Sequence, residues 1–212
     1  MSAPPDPDVY RSIRTGPAVE LRVKGSRFAA VAIAVAEEGE ARSHLDRIRR
    51  RDHDATHHGS AYRIGPPGAV RERFDDDGEP SSTAGKPILA AIEGREIHDA
   101  LVVVTRWYGG TKLGTGGLAR AYGQAAADAL DAAPAREVVL RRELVVSCDF
   151  ERLGAVEALL AREGAAILDV ERRFEPDPVL RLAVRRSRGE RLARELVEAT
   201  AGRARVDLGS EP

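Results

Sequence analysis

Between residues 100 and 130 the chain changes character twice within a few residues. Ala100-Leu-Val-Val-Val-Thr105 is an unbroken apolar run, β-branched from Val102 onward, the pattern of a buried strand. Arg106-Trp-Tyr-Gly-Gly-Thr-Lys-Leu-Gly-Thr-Gly-Gly117 follows, with glycines at 109, 110, 114, 116 and 117. Leu118 to Leu130 then repeats apolar residues at helical spacing. A strand, a glycine-rich loop and a helix in this order can turn backbone N–H groups inward at the helix N-terminus and hold an anion, with Arg106, Lys112 and Arg120 supplying positive charge. The competing reading is a tight crossover that needs glycine only for its turns.

The rest of the chain supplies a mixed α+β frame. Val19 to Val23 and Arg27 to Val35 read as strands joined at Lys24-Gly-Ser26, Glu40 to Arg51 as a helix, and Ala61 to Ile64 and Ala69 to Phe74 as two short strands. Pro87 is expected to open a helix that stops at Gly94. Ala132-Ala-Pro-Ala135 ends the Ala-rich helix and marks a domain boundary, giving domains 1–135 and 136–212. The second reads in sequence as strand 142–149, helix 151–163, strand 166–174, strand 179–184, helix 191–200 and strand 204–208. This βαββαβ order is that of a ferredoxin-like domain.

Charge and composition limit the function. Lys+Arg number 33 and Asp+Glu 34, and neither domain is basic overall, so phosphate binding has to come from a local patch. Aromatic residues make up 4%, which excludes a broad stacking platform for single strands. No apolar run is long enough for a membrane span, and Met1-Ser-Ala-Pro-Pro-Asp-Pro-Asp8 lacks the basic and apolar regions of a signal peptide, so a cytoplasmic location without membrane contact is expected. The single cysteine, Cys148, excludes an internal disulfide and reads as a small core residue.

Two further clusters carry possible chemistry. Asp75-Asp-Asp-Gly-Glu79 could hold a divalent cation, or could be an acidic turn leading to helix caps at Ser82 or Thr83. Lys86 is followed by proline, and Gly78 lies too far from Gly85 for a Walker loop. His53 and His57 would share a helix face if a helix persisted there, although Gly59 argues against it. Gly114-Thr-Gly-Gly-Leu-Ala119 fits the dinucleotide pattern formally, but nothing marks it as the first crossover of a Rossmann unit with an acidic ribose contact about 20 residues on.

Ala55-Thr-His-His-Gly-Ser-Ala-Tyr62, Asp76-Asp-Gly-Glu-Pro-Ser-Ser-Thr-Ala-Gly-Lys-Pro87 and Val103 to Tyr122, in that order, resemble the signature of the IMPACT / YigZ family. Gly25-Ser-Arg-Phe28 and residues 136–208 extend the resemblance to the bacterial two-domain form. It implies an α+β protein: an N-terminal two-layer α/β domain of the ribosomal-protein second-domain type, as in domain IV of elongation factor G, plus a C-terminal ferredoxin-like domain similar to its domain V. Eukaryotic IMPACT proteins restrain an amino-acid-starvation kinase of translation initiation through a partner protein. For this chain the resemblance implies a translation-related binding protein rather than an enzyme, with RNA or the ribosome, and a protein as well, as the partners to expect, and no cofactor. The positions carried over are His57, Tyr62, Asp76, Asp77, Glu79, Thr83, Lys86, Arg106, Gly109, Gly110, Lys112, Gly116, Gly117 and Arg120. Gly59 stands where a cysteine is frequent and Ser82 where a glycine is frequent. The alternative is a nucleotide- or phosphometabolite-binding protein, or an enzyme, using the same loop with a carboxylate-bound metal.

Overall fold

A computed structural model describes residues 6–209. They divide into two compact units, Tyr10–Val138 and a second comprising residues 6–9 and 139–209. The division at 138/139 lies three residues beyond the expected boundary, and residues 6–9 belong to the second unit.

In the first unit, β2 (Val19–Val23), β3 (Ser26–Ala34), β4 (His57–Ile64), β5 (Arg71–Asp75) and β6 (Ala100–Trp107) form an antiparallel sheet in the order β2-β3-β6-β4-β5. The central strand β6 is buried on both sides, as its unbroken apolar run requires. Ala100, Val102 and Val104 join Phe28, Ala30 and Ala32 of β3 beneath α2 (Gly85–Glu93) and α3 (Thr115–Ala132). Leu101 and Val103 join Ile33 and Ile64 on the opposite side, where α1 (Glu38–Arg51) supplies Ala41, Leu45 and Ile48. Helices therefore cover both faces, and the unit has a third layer where two were expected. A strand without polar residues on either side needs cover on both.

The side facing α2 and α3 is built from alanine and small aliphatics, with Phe28 and Tyr122 meeting edge to face at 5.2 Å between ring centroids. α2 begins at Gly85, so Pro87 is its third residue rather than its first. The missing N–H is still harmless, because the first intrahelical bond is donated by the Ile88 N–H to the Ala84 carbonyl. Outside the sheet, β1 (Val9–Ile13) and β7 (Ala135–Val139) pair as a two-stranded ribbon.

The second unit runs β8 (Arg141–Ser147), α4 (Phe150–Glu163), β9 (Ile167–Arg173), β10 (Val179–Arg185), α5 (Arg186–Ala199) and β11 (Arg205–Leu208). The strands form one antiparallel sheet in the order β11-β8-β10-β9. Alternation along β8 and β10 sends Leu144, Val146, Leu180, Leu182 and Val184 into a single core with Val156, Leu160, Leu192 and Leu196 of the two helices. Cys148 is in that core, and burial pushes its thiol above the ordinary cysteine range, with Asp149 and Asp177 adding to the effect. Among the described residues no helix is long and apolar enough to cross a membrane.

Candidate nucleic-acid interface

The polar motif residues of the first unit separate into a buried network and an exposed loop above it. In β6 the alternation that turns Val102 and Val104 toward α3 also turns Arg106 inward. Its side chain is 6% exposed and meets Glu79, 3% exposed, at 2.6 Å between Nη1 and Oε1. The Tyr122 hydroxyl of α3 donates to the same Oε1 at 2.8 Å. Burial pushes the Tyr122 phenol well above the ordinary tyrosine range, and the Glu79 charge and hydrogen bond push it further, so it remains a donor. Arg106 Nη2 also donates to Ser26 Oγ at 3.3 Å, and Ser26 Oγ accepts the Gly109 N–H at 3.2 Å. Through Ser26, the buried ion pair is tied to the first glycine of the loop.

That glycine is needed for close approach: a Cβ at Gly109 would lie 1.9 Å from the carbonyl carbon of Gly25. The Tyr108 N–H is held by Thr56 Oγ1 at 3.0 Å, which completes the anchoring of the loop base. Beyond it the chain is exposed at Gly110, Thr111 and Lys112, and Gly110 and Gly114 take φ of +85° and +69°. Gly114 occupies the N-cap of α3 without a side-chain cap. The first intrahelical bond there runs from the Leu118 N–H to the Gly114 carbonyl, so the N–H groups of Thr115, Gly116 and Gly117 precede it. Arg120 folds back over this turn, with Nη1 3.6 Å from the place a Gly116 side chain would begin.

The acidic segment is engaged with the protein itself. Asp76 Oδ1 accepts the N–H groups of Ala84 and Gly85, and Oδ2 accepts that of Ser82, all at 2.8 Å. The carboxylate thereby caps α2, the role expected of Ser82 or Thr83; the Thr83 hydroxyl instead donates to the Pro80 carbonyl at 2.6 Å. Asp77 accepts from the His58 N–H at 2.7 Å and from Arg49 at 2.5 Å. Among the described residues no group of three or more His, Cys, Asp or Glu side chains is arranged to hold a metal ion. His57 begins β4, so the helical His53/His57 pairing does not form. Its Nδ1–H donates to the Asp77 carbonyl at 2.8 Å, and its Nε2 is 3.9 Å from Glu79 Oε2.

The cations divide differently from the expectation. Arg106 belongs to the interior and leaves the exposed face. Lys86, in the first turn of α2, and Lys112 and Arg120 are exposed, as is Lys24 in the β2–β3 turn, which the sequence reading did not select. Among the described residues none of these four has an acidic partner.

A family model described as "Impact N-terminal domain" matches residues 24–130, which take in the whole network and the loop. The "IMPACT family member in pol 5'region" of Thermus thermophilus is 42% identical over 163 residues, covering 77% of this chain and 85% of that protein. The chain belongs to the IMPACT family. "IMPACT family member YigZ" of Escherichia coli is 32% identical over 181 residues, 85% of this chain and 88% of the relative. A solved structure described as "Crystal structure of an hypothetical protein" matches at a TM-score of 0.68 and 28% identity, covering 97% of this chain and 99% of the other.

Of the two departures from the IMPACT pattern, the structure explains Gly59 and leaves Ser82 in a strained backbone. A Cβ at Gly59 would lie 2.9 Å from the Ala84 Cβ and 3.1 Å from the Tyr122 ring, so here glycine lets α2 and α3 close over β4. Ser82 takes φ of +61°, the left-handed region in which a glycine would be unstrained. Tyr62 lies on the opposite side of the sheet, with the residues packed under α1. Burial, followed by the adjacent Glu38 carboxylate, raises its phenol above the ordinary range. It is not brought together with the loop.

Proposed function

We propose that this IMPACT-family protein is a cytoplasmic, non-enzymatic RNA-binding regulator of translation that grips phosphates with the loop 109–117 and the start of α3. One observation carries the reading: the motif's acids are engaged inside the fold, whereas Lys112 and Arg120 are exposed and unpaired beside an uncapped helix N-terminus. Loop N–H groups, the helix dipole and two cations favour anionic oxygens. A polynucleotide supplies these in a row, and it needs only a local positive field on a protein with net charge −1. Lys86 extends the face along α2, whose Pro87 packs against Gly123 of α3. Arg106 acts from beneath, holding the loop through Ser26.

The finer fold reading belongs with this proposal. The βαββαβ sequence and the β11-β8-β10-β9 order of the second unit support a ferredoxin-like domain similar to domain V of elongation factor G. The first unit is read as the domain IV type, with the domains meeting near residue 135. On that reading, the resemblance of both units to translation-factor domains makes ribosomal RNA the partner to test.

Anisotropy of a labelled ribosomal-RNA fragment tests the reading. Lys112→Glu and Arg120→Glu are each expected to weaken binding about fivefold at low salt, and Arg194→Glu, exposed on α5, less than twofold. Equal effects at all three positions would reject the loop as the contact.

A further inference from the structure

Beside the loop lies a groove that shares Gly117 and Arg120 with the phosphate-binding face and adds apolar residues of β2. It has a volume of about 310 Å³ and runs between β2 and the first turns of α3. Leu21, Val23 and Leu113 give it apolar walls, and Lys24 and Arg120 stand at its rim. The strand that lines it, β2, is an edge strand paired only with β3. Gly117 lets it form: a Cβ there would be 3.2 Å from the Leu113 Cβ, so glycine allows Leu113 to seat closely against the helix. On the helix, Gln124 donates through Nε2 to Asp128 at 2.7 Å, which leaves its carbonyl oxygen to accept.

From these features we infer that the groove takes one unstacked base of a single-stranded RNA, with the adjoining phosphates on Lys24 and Arg120. The inference rests on the phosphate-binding reading and specifies the form of RNA. The occupant must be anionic at its edge, because both rim cations lack acidic partners among the described residues. Its centre must be largely apolar, because the walls are aliphatic, and it must be small, because the volume is at the lower end for ligand sites. A nucleotide residue meets all three requirements. The Gln124 carbonyl can accept from an exocyclic amine on the base edge. In a duplex the bases are stacked and paired, so only phosphates would reach the protein; a splayed single strand can offer both. One aliphatic slot also accords with the 4% aromatic content, which provides for a single base rather than a stacked run.

The test uses the full chain and three labelled probes: a 12-nucleotide RNA of mixed sequence, the same strand in a duplex, and a ribose-phosphate strand of the same length with abasic positions throughout. The base-bearing strand is expected to bind about fivefold tighter than the abasic one. Leu21→Ala, on β2 and outside the loop 109–117, is expected to remove most of that advantage without changing affinity for the abasic strand or the duplex. Gln124→Ala, on the exposed helix surface, provides a second variant, with an expected loss of about twofold for the base-bearing strand alone. Equal, salt-dependent affinity for base-bearing and abasic strands would overturn the groove assignment and leave the phosphate reading standing. Absence of salt-dependent binding to any probe would overturn both, and tighter binding of an acidic peptide than of RNA would overturn the RNA assignment.

Discussion

Removing Arg106 tests whether the buried network supports the loop. Arg106→Met preserves most of the side-chain volume and deletes the charge, leaving Glu79 as a carboxylate that is 3% exposed and has lost its partner at 2.6 Å. Breaking a buried pair from one side costs about 3–5 kcal/mol, because the remaining charge is desolvated and uncompensated. In a chain of this size that lowers the melting midpoint by roughly 10 °C. The Tyr122 hydroxyl still donates to Glu79, which places the expected loss toward the lower end of the range. The single tryptophan, Trp107, adjoins the substituted residue and has Arg27 stacked 3.6 Å from its ring centroid, so its fluorescence during urea unfolding follows the first unit. Adding Glu79→Leu removes both charges and should recover about 2 kcal/mol relative to Arg106→Met alone, a coupling read from the double-mutant cycle. An Arg106→Met loss below about 1 kcal/mol, or additive effects of the two substitutions, would refute the reasoning.

Two further substitutions probe the segment between β5 and α2. Burial raises the Asp76 carboxyl, but the N–H groups of Ala84, Ser82, Gly85 and Thr83 more than reverse this and hold it below the usual aspartate range. Its contribution is therefore present above the unfolded-state value of about 3.9 and is lost as pH falls through the lower folded value. Asp76→Asn should cost about 1–2 kcal/mol at neutral pH and flatten the acid limb of the stability curve, as measured by urea titrations between pH 2.5 and 7. Ser82→Gly should raise stability by about 0.5–1 kcal/mol in the same assay, because the left-handed backbone at φ +61° strains serine and not glycine.

Much of this arrangement was legible in the residues. Apolar periodicity locates β2, β3, β6 and α3 closely, and the pattern from Arg142 to Leu208 gives the order of strands and helices from β8 to β11. The third layer was also legible, since the run from Leu101 to Val104 offers no polar side to water. So was the inward turn of Arg106, two residues beyond Val104 on the same side of an alternating strand. Its charge suggests a surface role, and only the meeting with Glu79, 27 residues earlier, shows how the charge is satisfied. That meeting depends on Asp76 capping α2, a contact that spans eight or nine residues through a left-handed Ser82 and has no periodic signature. Ser26 and Tyr122 lie inside the quoted motifs, yet their roles arise from pairings 80 and 43 residues apart in sequence. β1 and β7 were missed for a similar reason: each is five residues long and gains its identity from a partner more than a hundred residues away.

The claim that the exposed loop and α3 grip phosphates is tested most directly by the salt dependence of RNA affinity. The wild-type chain and a Lys112→Glu/Arg120→Glu double variant would be titrated with one labelled RNA across a range of salt concentrations. The account predicts that log affinity falls linearly with log salt for the wild type, and that the slope is shallower by about two in the variant, one for each lost phosphate contact. An affinity that does not respond to salt, or an identical slope in the two proteins, would contradict it.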